Sequence, residues 1–182
     1  MTFLSMAAFR RPLIAAGLLV GSAAACAHIT LASPQAEAGS YYTAVLRVGH
    51  GCDGAAITEI IVTLPPGVQG AKPMPKPGWR IDIERAPLAV PLTSHGRTVT
   101  EDVSRIRWTG GPLPDAYYDE FVLRVRLPDT PGRLYWPVTQ VCEQGRIDWV
   151  EVPDAAAGAA HLPYPAPMLE LRPAAPPAQH AH

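Results

Sequence analysis

The chain has 182 residues, with 15 basic and 16 acidic side chains, 21 prolines, 15 glycines and three cysteines. A formal charge of −1 excludes the strongly basic surface that general binding to nucleic acid or anionic lipid demands. Proline at this density excludes a protein built from long helices, because each proline lacks a backbone N–H and its ring clashes with the preceding turn.

The first 27 residues read as an export signal. Arg10-Arg11 precede an apolar run over residues 12–25, and Ala25 and Ala27 set small side chains at the −3 and −1 positions of an A-x-A cleavage site. The run is short of the roughly 20 apolar residues that a spanning helix needs, and no run of that length follows it. Lipidation of Cys26 is disfavoured, since Ala23-Ala24-Ala25 lacks the leucine expected three residues before a lipidated cysteine. Cleavage between Ala27 and His28 is therefore expected to release a soluble periplasmic or secreted protein with no stable membrane anchor.

The mature chain of 155 residues keeps 13 basic and 16 acidic side chains, enough for one domain with a sizeable core. It begins at His28. A free α-amine and the Nδ1 of the same imidazole can close a six-membered ring around one metal ion, which an internal histidine cannot do. Taken by position alone, the plainer reading of His28 is an ordinary signal-peptide junction. Cys26 leaves with the leader, so Cys52 and Cys142 remain as a pair in an oxidising compartment, where a disulfide is the expected state. A two-thiolate metal site is the alternative, but the pair lacks C-x-x-C spacing.

Short apolar runs follow, separated by turn residues. The first covers residues 41–48 and the second 57–64, stopped by Pro65-Pro66-Gly67. Residues 79–84 alternate apolar and polar side chains with period two, and 103–108 do so with one slip. The clearest run is 121–127, with Phe121, Leu123, Val125 and Leu127 on one face and Arg124 and Arg126 on the other. Residues 134–141 and 147–152 complete the set, and turn chemistry fills the gaps. This pattern predicts an all-β fold, an antiparallel β-sandwich of immunoglobulin-like or cupredoxin-like kind with about seven strands. The domain is expected over 28–153, with Met168-Leu169-Glu170-Leu171 adding an edge strand and residues 172–182 forming a disordered Pro/Ala/His tail.

The chain carries no G-x-S-x-G, no H-E-x-x-H and no glycine-rich phosphate loop after a strand. An ordered series of motifs does stand out. His28-Ile29-Thr30-Leu31, Arg47-Val48-Gly49-His50-Gly51-Cys52-Asp53-Gly54, Lys76-Pro77-Gly78-Trp79, Trp108-Thr109-Gly110-Gly111-Pro112, Gln140-Val141-Cys142-Glu143 and Asp148-Trp149-Val150-Glu151 follow one another along the chain. Together, over roughly 28–153, they resemble the YcnI-like domain family of exported bacterial copper-binding proteins.

The resemblance implies a β-sandwich whose mature N-terminal histidine binds Cu(II) through its amine and ring nitrogen, a one-histidine brace. It also implies a carboxylate completing the site and a tryptophan close by. On this chain the brace carries over to His28 and the tryptophan to Trp149, for which plain core packing is the alternative. The carboxylate carries over to Glu120, with Asp119, Asp148 and Glu151 remaining open because strand alternation turns Glu120 away from the face of Phe121. Two chelating nitrogens with a carboxylate oxygen and water suit the tetragonal preference of Cu(II).

Among the other donors, His50 reads as a turn residue beside Cys52, Met74 as a lone thioether in a Pro- and Lys-rich loop, and His95 as a loop residue. His161, His180 and His182 form a loose secondary copper-collecting tail. The expected function is Cu(II) capture or metallochaperone work in copper homeostasis rather than enzymatic turnover. Copper is the expected ligand, and another periplasmic copper carrier or a copper transporter the expected partner. Two alternatives stand beside it. One is a copper-dependent oxidative enzyme, whose known forms use a second equatorial histidine that the matched motifs do not supply. The other is a metal-free sandwich serving as a binding module.

Overall fold

Period-two alternation builds the two inner faces of the domain. In the computed structural model, which describes residues 28–94, 96–154 and 162–174, the strand β3 (Tyr41–Val48) buries Tyr42, Ala44, Leu46 and Val48. Strand β8 (Asp119–Arg126) buries Phe121, Leu123 and Val125. The two pair antiparallel from Tyr41 opposite Arg126 to Val48 opposite Asp119, so both apolar rows fall on one side. With β1 (Thr30–Leu31) and β5 (Gln69–Pro73) they form a sheet in the order β1-β3-β8-β5. The expected leader, His95, His161, His180 and His182 lie outside the described residues.

The facing sheet contains β4 (Ile57–Thr63), β6 (Trp79–Ser94), β7 (Arg97–Leu113), β10 (Val138–Cys142) and β11 (Arg146–Trp149). Its order is β11-β10-β4-β7-β6, and every neighbouring pair is antiparallel. Between the sheets lie Leu46, Ile60, Ile106, Trp108, Phe121 and Leu123, all fully buried. Phe121 meets the rings of Trp79 and Trp108 edge to face at 5.0 and 5.7 Å, the geometry that aromatic quadrupoles favour. A small third sheet, β2 (Gln35–Glu37), β12 (Met168–Arg172) and β9 (Gly132–Tyr135), has the order β2-β12-β9. Here β12 runs parallel to β2 and antiparallel to β9.

The fold is the expected sandwich, with twelve strands among the described residues rather than about seven. The run 134–141 is two strands, divided at Trp136-Pro137, because a proline has no N–H to give the ladder. Its first half, β9, joins the third sheet and its second half, β10, joins the sandwich. Residues 85–94, with Pro87 and Pro91, and residues 97–103 prolong β6 and β7 as a paired extension whose ladder is interrupted between Pro87 and Leu92. Because β6 is an edge strand, its prolines leave few ladder partners unsatisfied. The run 147–152 pairs only as far as Trp149, and Glu151 then bridges Pro165.

The disulfide between Cys52 and Cys142 is formed, with Cα atoms 6.0 Å apart. It ties the turn after β3 to the end of β10. The same side of the sandwich carries the edge strands β1 and β11, and the histidines meet the core there.

Candidate metal centre

Strand β1 pairs with β3 through Thr30 opposite Arg47 and Leu31 opposite Leu46. Carrying that antiparallel register back towards the start of the strand brings His28 to the level of Gly49, beside His50. Ile29, 3 % exposed, anchors the segment so that His28 is held rather than frayed. The imidazole of His28 stands edge to face on Trp149, with centroids 5.6 Å apart and planes at 80°. Its Nε2 is enclosed and has no hydrogen-bond partner. A chelate through the amine uses Nδ1, so the nitrogen packed inward is the one the chelate does not need.

Trp149 is itself fixed. It is 1 % exposed, and its Nε1–H donates to Oε1 of Gln140 at 3.1 Å. Gln140 is also 1 % exposed. Its Nε2 donates to the backbone carbonyl of His50 at 2.8 Å and lies 3.9 Å from the sulfurs of Cys52 and Cys142. One amide thus links the disulfide, the His50 turn and the indole that supports His28. Two further rings flank Trp149, His50 at 6.2 Å and Tyr164 at 5.7 Å. The backbone N–H of Tyr164 donates to Oε2 of Glu151 at 2.6 Å, which sets one alternative carboxylate beside the same cluster.

Glu120 belongs to a different set of contacts. Its register partner on β3 is Arg47, whose Nε approaches Oε1 at 3.2 Å, and the Tyr118 hydroxyl donates to the same oxygen. The Tyr118 hydrogen bond, then Arg47, holds the Glu120 carboxyl below the ordinary glutamate range, and the same bond raises the Tyr118 phenol. Asp119 accepts from Lys76 Nζ at 2.6 Å. Asp148 accepts from Arg146 and from Thr139, each at 2.7 Å, and is lowered chiefly by Arg146.

The structure therefore joins His28 to Trp149, and Glu120 to Arg47 and Tyr118. Across the sheet Glu120, Arg47 and Thr30 form one row over β8, β3 and β1, and His28 lies two residues before Thr30 on the same strand. Among the described residues, no three His, Cys, Asp or Glu side chains gather closely enough to hold a metal ion. A metal centre at His28 thus depends on the backbone amine as a donor.

Sequence reasoning gave no role to Gln140 or Tyr164 and none beyond a turn to His50. Gln140 did carry a signal, as a polar residue at an inward position between Val138 and Cys142. A cavity of about 470 Å³ lined by Tyr41, Lys72, Arg85 and Arg124 opens at the opposite end of β3 from His50 and shares no residue with the histidine cluster.

Fold and site together define a class, an immunoglobulin-like β-sandwich with a histidine–tryptophan cluster tied to a disulfide at one edge. A solved structure of an uncharacterized protein from Nocardia farcinica, described as having an immunoglobulin-like fold, superposes with a TM-score of 0.61. The two are 26% identical, over 79% of this chain and 97% of that one. Residues 28–171 match the family described as a domain of unknown function, DUF1775, and the chain belongs to that family, the YcnI-like domains. The copper-binding protein CutI of Bacillus subtilis (strain 168) is 24% identical over 147 residues. That alignment takes in 79% of this chain and 65% of the length of CutI.

Proposed function

We propose that this chain is an exported copper-binding protein that captures Cu(II) at its mature N-terminus and exchanges it with another component of copper homeostasis. The observation that carries this reading is the setting of His28. Its ring stands edge to face with a fixed indole and its Nε2 is enclosed, so the chelate we propose uses Nδ1 together with the α-amine freed by cleavage after Ala27. The likeness to a protein named as copper-binding supports copper as the ion.

Each residue has a defined task. The α-amine and Nδ1 of His28 form the chelate. Trp149 and Gln140 hold the imidazole's orientation and cover one side of the ion. Glu120 is the carboxylate we assign. Tyr118 and Arg47 bond its Oε1 and hold its carboxyl below the ordinary glutamate range. Such a nitrogen and oxygen set binds Cu(II) more tightly than the other divalent first-row ions. The role is binding and transfer rather than turnover.

The test is N-terminal mass analysis of the exported protein, followed by Cu(II) titration under electron paramagnetic resonance. The protein beginning at His28 is compared with a form carrying one extra residue before it. The native form should bind one equivalent with nitrogen hyperfine structure, and the extended form should lose that signal. Equal binding by both forms would end the brace assignment.

A further inference from the structure

His50 has a chemistry that copper capture by His28 does not use. Its Nδ1 lies 2.6 Å from the carbonyl oxygen of Gly51. A carbonyl only accepts, so in the neutral ring this contact assigns the proton to Nδ1 and leaves the lone pair on Nε2. Among the described residues Nε2 has no hydrogen-bond partner, and it is not fully enclosed. The ring is half-buried, and its Nε2 keeps some access to solvent.

The turn that presents this nitrogen is rigid. The backbone N–H of Gly51 donates to Oδ1 of Asp115 at 2.8 Å. A Cβ at Gly51 would lie 1.9 Å from the carbonyl oxygen of Ala55, so only glycine fits. The next residue, Cys52, exchanges backbone hydrogen bonds with Ala55 and is bonded to Cys142. On the other side, the carbonyl of His50 accepts from Gln140. The imidazole stands edge-on to Trp149 at 72°, on the same indole that His28 meets. An imidazole whose one N–H is held by a carbonyl, with the other nitrogen free, is the arrangement in which histidines ligate metals.

We propose that His50 is a metal-ligating residue, its Nε2 donating to a transition-metal ion at the mouth it shares with His28 and Trp149. Copper as the ion rests on the function proposed above, whereas the donor atom rests on the His50 contacts alone. A neutral nitrogen on a rigid turn, one register position from the N-terminal chelate, gives the ion a second foothold as it passes on to or off His28.

The test is nitrogen-resolved NMR of the imidazoles during titration with silver nitrate, Ag(I) being a diamagnetic probe of an imidazole lone pair. It uses the protein beginning at His28 and the form with one extra residue before it. Before metal is added, His50 should carry its proton on Nδ1. Silver should then shift Nε2 of His50 strongly and Nδ1 little, and His50→Gln should weaken silver binding in both forms. A proton on Nε2 at the outset overturns the proposal. So does a His50 that stays in place while His28 responds in the native form alone, and that result leaves the brace standing. If His50 responds in both forms and His28 responds equally in both, His50 is a ligand and the brace assignment fails.

Discussion

Replacing Gln140 by leucine separates the two things the amide does, filling space and satisfying polar neighbours. Leucine nearly matches its volume, so the change leaves the Trp149 indole N–H and the His50 carbonyl without their partners. Each buried group left unpaired costs about 1–3 kcal/mol. The His50 carbonyl sits on a half-buried turn and takes the lower end of that range. Against this, the leucine gains about 1–2 kcal/mol from apolar burial. The balance is a loss of about 0–3 kcal/mol, centred near 1.5, read from urea unfolding followed by circular dichroism. The decisive measurement is a cycle with Trp149→Phe. Phenylalanine has no N–H to strand, so Gln140→Leu should cost about 1 kcal/mol less in that background than in the native one. An equal cost in both backgrounds would show that the indole hydrogen bond contributes nothing, and the linkage from disulfide to His28 would lose its central member.

Removing both cysteines as Cys52→Ala and Cys142→Ala opens a loop of 90 residues. Chain entropy puts the loss at about 4–5 kcal/mol, and a urea midpoint unchanged from the native protein would contradict it. Copper affinity should rise about tenfold per pH unit up to the α-amine range near 8 and level off above it. A competition titration showing a flat profile from pH 6 to 9 would remove the amine from the ligand set. Asp148 has a folded value held below its ordinary range by Arg146 and Thr139. Its contribution to stability is therefore fully present above about pH 4 and disappears as the pH falls through the lower folded value. Asp148→Asn should flatten that acid-side decline in urea midpoints, and identical curves for the two proteins would refute the linkage.

How much was readable beforehand differs from element to element. The alternation in β3 and β8 names their buried residues directly, because one sheet face is apolar and the side-chain period is two. The division between β9 and β10 is also local, since Pro137 marks it. The paired extension of β6 and β7 was hidden by its prolines, which an edge strand tolerates. Within the candidate site, the expected leader junction singled out His28 and a motif singled out Trp149, and the structure brings the two rings together. The links between them were not legible. Gln140 reaches His50 across a separation of 90 residues and Trp149 across a strand turn, and the engagement of Glu120 by Arg47 depends on strand register.

The pairing of β12 with β2 sets Gln35 beside Glu170, residues 135 positions apart. Leu169 and Leu171 on β12 are buried in the common interior. A polypeptide is synthesised with its amino end leading, so residues 35–37 must wait for residues 168–172 before their edge is covered. The front of the molecule, just downstream of His28, therefore becomes firm only when nearly everything behind it has arrived. A chain ending at residue 153 would leave that front edge bare and a patch of leucine-lined interior open to water.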